Sequence, residues 1–174
     1  MRFIPVVAIA TGAIVGASLA GCAVAPAVAP SVATGASTAD VARVLDDWHD
    51  AAAHADEARY FAHFAPGGVF LGTDAKERWD VTAFRAYAHP FFAKGKAWSF
   101  HATARHVTFG GSAGSEVAWF DESLATERLG PARGTGVLVR DGSGGPWRIA
   151  LYDLSVPIPN ERFDDVKKLI DAAH

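Results

Sequence analysis

Asp121 is the residue of this chain most readily given a chemical role. It lies between Phe120 and Glu122 in a β-prone run, two positions after Trp119. Side chains alternate along a strand, so Trp119, Asp121 and Ser123 share one face. A carboxylate held against indole loses hydration, which raises its pKa and suits it to general acid or base work. The plainer arrangement is an ion pair: Asp121 beside a cross-strand Arg133 or Arg105, fixing register and nothing more.

A second group is Asp74, Glu77, Arg78 and Trp79. Asp74 directly follows a short β-prone run, 69–73, and is the member placed to meet a ligand. Glu77 and Arg78 read as braces for a loop, and Trp79 as a lid over the core. The chain has seven histidines and no H-E-x-x-H or His-x-His pattern. His101 shares strand parity with Thr103 and Arg105 and is a candidate to enter a pocket. His106 faces the other way unless a bulge intervenes. His49 and His54 share no helical face, so no metal site is expected. No nucleophile elbow, P-loop or dinucleotide fingerprint occurs, and no cofactor is expected.

These groups need elements to hold them. Val41, Val44, Leu45 and Trp48 form one stripe of an amphipathic helix, with Thr38 or Ser37 as its N-cap. A second helix starts at Asp56 with Phe61 and Phe64 inward, ended by Ala65-Pro66-Gly67-Gly68. Asp80 opens a third, with Phe84, Tyr87, Ala88 and Phe91 on one face and Pro90 kinking or stopping it. From Trp98 the pattern changes to four β-prone runs, 98–109, 116–128, 132–140 and 147–156, separated by glycine-rich turns. A final helix over 161–173 runs through Phe163, Val166, Leu169 and Ile170. Three helices followed by an antiparallel meander is an α+β arrangement, with the helices on one face of the sheet.

The N-terminus accounts for the chain's single cysteine, which also excludes an internal disulfide. Met1-Arg2 precedes an apolar, alanine-rich run, 3–19, that reads as a secretory leader or as a short membrane anchor. Leu19-Ala20-Gly21-Cys22 resembles the bacterial lipobox, which implies cleavage before Cys22 and acylation there. The organisation expected is a signal peptide over 1–21, a lipidated cysteine and Ala/Pro tether over 22–39, a domain over 40–160 and a C-terminal helix over 161–174. Such a chain is lipid-anchored in the cell envelope and faces the periplasm; Ala23 after the cysteine implies the outer membrane. Net charge is −3, with basic residues scattered, so no nucleic acid partner is expected.

The stretch 48–160 resembles the SnoaL-like branch of the nuclear transport factor 2-like superfamily. The resemblance is carried by Phe70-Leu71-Gly72-Thr73-Asp74 with Glu77-Arg78-Trp79, by Ala118-Trp119-Phe120-Asp121-Glu122, by Arg133-Gly134-Thr135-Gly136-Val137-Leu138-Val139, and by Trp147-Arg148-Ile149-Ala150 running to Leu154-Ser155-Val156-Pro157-Ile158-Pro159-Asn160. It implies a curved antiparallel sheet wrapped on three helices, a conical pocket between them, and often a homodimer through the outer face of the sheet. Asp74 would then stand near the pocket mouth. SnoaL-like cyclases and ketosteroid isomerases use an acidic residue in this kind of pocket. The isomerases add a tyrosine on the first helix, where this chain has Trp48 and His49.

Three readings of function follow. The leading one is a non-catalytic module that binds a small, mostly apolar ligand in the cone, with Trp119, His101, Asp74 and Tyr152 as contacts, or that serves to dimerise. The second is a cofactor-independent isomerase or dehydratase with Asp121 as general acid or base, supported by His101 or Tyr152. The third is an envelope scaffold whose cone is filled.

Overall fold

The structure, a computed structural model, describes residues 37–112, 115–142 and 144–173. Cys22, the apolar leader and most of the tether lie outside the described residues. Helix α1, Thr38–Ala53, begins at a capping box: the Ser37 side chain accepts from the Asp40 N–H, and the Asp40 carboxylate accepts from the Ser37 N–H. Its buried stripe includes Val41, Leu45, Trp48, His49 and Ala52, so a histidine stands among the apolar residues. Helix α2, Glu57–Ala62, is capped by Asp56 and buries Tyr60 and Phe61. Helix α3, Val81–Phe92, is capped by Asp80 as the sequence predicts, and runs through Pro90 to its last turn.

Six strands make one curved sheet: β1 (Phe64–Leu71), β2 (Arg78–Asp80), β3 (Phe100–Ser112), β4 (Ser115–Thr126), β5 (Gly130–Asp141) and β6 (Arg148–Ser155), in the order β2-β1-β6-β5-β4-β3. Strands β3 to β6 are the expected antiparallel meander. Strand β1 lies parallel to β6, and β2 pairs antiparallel with β1. Pro66, Gly67 and Gly68, expected to end a helix, belong to β1 instead, where the register with β6 shifts between Phe64 and Val69. Two local features let them fit. Gly67 takes a positive φ of 74°, and a Cβ on Gly68 would stand 2.9 Å from the Ile149 carbonyl.

Aromatic rings fill the space between helices and sheet. Trp48 stacks on Tyr60 at 4.9 Å between centroids and lies 4.5 Å from Tyr152, while Phe70 stacks on Phe84 at 4.0 Å. Each such ring contributes about 1.5–3 kcal/mol by leaving water. After a 3-10 turn at Asn160–Arg162, helix α4 (Phe163–Ala172) buries none of its residues, and Phe163, Leu169 and Ile170 remain exposed.

Candidate functional site

The phase of β4 decides which carboxylate enters the cone. Ala118, Phe120, Glu122 and Leu124 are buried beneath the helices, and Trp119, Asp121 and Ser123 point outward. Asp121, expected inside, therefore stands on the outer face of the sheet, with its side chain 58% exposed and 3.2 Å from His106 Nδ1. The partner is that histidine, not Arg133 or Arg105. Trp119 also lies outside, 47% exposed and laid across Gly110, whose missing Cβ leaves it room. Strand alternation then carries Asp121 out together with Trp119, as their shared parity requires.

Strand β3 turns His101 outward for a related reason. Its register with β4 shifts between Ala102 and Ala104, so Thr103 and Ala104 together face Ser123. This bulge reverses the alternation. Ala102 and Arg105 both point inward, and His101 and His106 are both exposed, so the parity linking His101 to Arg105 does not hold. Asp74 is also exposed. Its carboxylate accepts from the Lys76 N–H at 2.8 Å, and its own N–H donates to Glu77 Oε2, which makes it a turn-former, with Glu77 as the expected brace. Of the residues expected in the pocket, only Tyr152 is inside.

There it meets a cluster that the sequence reading missed. Glu122 Oε1 accepts from Tyr152 O–H at 2.8 Å and from His49 Nε2 at 2.8 Å. Oε2 accepts from Arg105 Nε at 2.8 Å and lies 2.7 Å from a terminal guanidinium nitrogen. That nitrogen also reaches Asp46 Oδ1 at 2.8 Å, and another donates to the Ala42 carbonyl at 3.3 Å. Helix α1 and strands β3, β4 and β6 thus converge on one fully buried carboxylate. Burial pushes the Glu122 pKa up, but His49, Arg105 and Tyr152 together hold it below the usual glutamate value. Burial and the Glu122 charge push the Tyr152 hydroxyl well above its own usual value, so it remains a donor. A carboxylate offers about four lone-pair sites. Three hydrogen bonds and the close Arg105 ion pair surround them here, which disfavours proton transfer with a substrate. Two signals could have revealed the cluster: Glu122 shares parity with Phe120 and Leu124, and His49 falls within the apolar stripe of α1.

A cavity of about 290 Å³ opens at the mouth of the cone, lined chiefly by Phe70, Trp79, Phe84, Tyr87, Trp98, Phe100, Leu129 and Leu154, with Thr73, Glu77 and Arg128 as polar members. It does not reach the cluster. Phe100, 6.1 Å from His49, and Phe70, stacked on Tyr152 at 5.8 Å, stand between them. A larger recess of about 1190 Å³ runs along α1 past Gly145, Pro146 and Trp147, but it is a trough open to solvent. Its charged walls pair among themselves, Arg59 with Asp47 and Asp50 and Arg43 with Asp40, so it lacks the enclosure of a small-molecule site. Among the described residues no three His, Cys, Asp or Glu side chains converge to hold a metal ion.

Known proteins share this architecture. Solved structures similar to the chain include a nuclear transport factor 2-like protein of unknown function from Pseudomonas putida KT2440, with 13% identity, a TM-score of 0.51, and 71% of this chain and 88% of that one covered. A domain of unknown function with a cystatin-like fold from Nostoc punctiforme shares 16% identity at a TM-score of 0.55, covering 78% and 88%. A Catenulispora acidiphila protein in complex with S-DNPA shares 20% identity at 0.51, covering 67% and 90%. At such identities the likeness is one of fold. No curated protein matches the chain. The SnoaL-like domain pattern matches residues 41–159, more than half of the sequence and nearly all of the sheet and the helices packed on it, and the chain accordingly belongs to the SnoaL-like family.

Proposed function

We propose that this protein is a lipid-anchored envelope module that binds a small, mostly apolar molecule at the mouth of its cone without transforming it. The observation carrying this reading is the separation of the two features described above. The cavity is aromatic and sized for a small ligand, whereas Glu122, the fully buried carboxylate among the described residues, lies behind a wall of phenylalanines and is already hydrogen-bonded by His49, Arg105 and Tyr152. With Asp121 on the outer face, the carboxylate among the described residues lining the cavity is Glu77, which already accepts from the Asp74 N–H. The lipobox at Cys22 supports the anchor. The outer sheet face, where Trp119 stands in register with Val137 and Val137 with Leu151, supports a homodimer formed by two such faces.

Native mass spectrometry of the full-length protein, purified from its own host, tests the binding reading. A retained small molecule that is lost in a cavity-filling Leu129→Trp variant is the expected result. Absence of any adduct from the wild-type protein, or one indifferent to Leu129→Trp, would overturn it.

A further inference from the structure

The cone-mouth cavity carries information about what would fill it. Its part-exposed indoles share one orientation: Trp79 lies 8° and Trp98 21° from the plane of the buried Phe84. Walls that are nearly parallel offer flat faces to a flat guest, and the offset stacking they allow is lost by a puckered one. At about 290 Å³ the space is at the small end for a ligand site, suited to about two fused rings.

The rim adds a charge. Among the described residues, Arg128 is the one cation lining the cavity. It belongs to the tight turn between β4 and β5, which Thr126 pins by accepting from the Leu129 N–H at 2.9 Å and donating to the Gly130 carbonyl at 2.9 Å. Its neighbour Glu127 is paired with Lys96, and among the described residues Arg128 itself has no carboxylate within salt-bridge reach. A guanidinium held at the edge of an aromatic slot presents a planar fork of donors to a carboxylate or similar oxyanion.

Resting on the cone-mouth reading above, we infer that the ligand is a planar, conjugated organic acid, its rings stacked against Trp79 and Trp98 and its acid group received by Arg128.

Three probes separate the parts of this inference: 2-naphthoate, the uncharged 2-naphthamide, and the saturated decahydro-2-naphthoate. Binding to the full-length protein is followed by calorimetry and by quenching of indole fluorescence. The expected order places 2-naphthoate about three- to tenfold tighter than the amide, since Arg128 is exposed and its pairing is screened. The saturated acid should bind more weakly than 2-naphthoate. Arg128→Gln should lower the affinity for 2-naphthoate to that for the amide. Equal affinities for acid and amide, or a preference surviving in Arg128→Gln, would overturn the acid assignment and leave the cone-mouth reading standing. Saturated and aromatic acids binding alike would overturn planarity. If none of the three binds, or if binding ignores Leu129→Trp, the underlying reading falls with the inference.

Discussion

Glu122 concentrates the polar chemistry of the interior in one side chain. It is a buried carboxylate whose charge is balanced by Arg105 and whose remaining lone pairs are taken by His49 and Tyr152. Removing one member of such a cluster strands the others. Glu122→Gln should therefore destabilise the protein by about 3–5 kcal/mol in urea unfolding, although the shape is nearly preserved. The same residue sets an acid limit. Its folded pKa is depressed, so its contribution is fully present above the unfolded value of about 4.3 and is lost as pH falls through the lower folded value. Urea midpoints measured downward from pH 6 should drop through that window in the wild type. The drop should be shallower in Glu122→Gln; parallel curves would rule out Glu122 as the source. Gly134 supplies the space for the cluster. A Cβ there would overlap Tyr152 Oη and stand 2.9 Å from Glu122 Oε1, so Gly134→Ala should cost about 1–3 kcal/mol by thermal melt.

At the scale of elements, the difference between readable and unreadable follows sequence distance. The stripe from Val41 to Trp48, the cap at Asp80 and the turns between β3, β4, β5 and β6 are local patterns, and each element appears close to where its residues predict it. The parallel pairing of β1 with β6 joins residues some eighty positions apart. No local signal announces it, which is why Pro66 to Gly68 read as a terminator. The candidate site failed on phase. Choosing Trp119 as the inward residue put Asp121 inside, when Ala118, Phe120 and Leu124 marked the other face. In β3 a bulge at Thr103, which nothing in the composition foretells, breaks the parity between His101 and Arg105. Alternation is a sound rule only within an unbroken ladder.

For the molecule as a whole, two expectations concern surfaces and attachment. Trp119 exposes nearly half its area on the outer sheet face, beside half-buried Val137 and Leu151. If two such faces pair, Trp119→Glu should convert a dimer to a monomer in light scattering at micromolar concentration, with the melting temperature of the monomeric fold little changed. A wild-type chain that is already monomeric would remove the dimer. Attachment is tested by labelled palmitate, which should enter the wild type and not Cys22→Ala. Equal labelling would place the anchor elsewhere.

Strand β6 stands between β5 and β1, so the strand that joins the two parts of the sheet is also the last to be made. Tyr152, packed against Trp48 and bonded to Glu122, arrives on that same strand. A nascent chain ending before Arg148 therefore has its helices and the β3–β5 meander but cannot close the core, because the long-range contacts come only with β6. Released chains ending near residue 146 should be cut by protease at rates typical of an unfolded polypeptide, and chains reaching Val156 should resist it. Synthesis thus leaves the domain open until β6 has been made. Were the chain exported as proposed, that interval would keep it pliable enough to pass a narrow secretion channel before it closes.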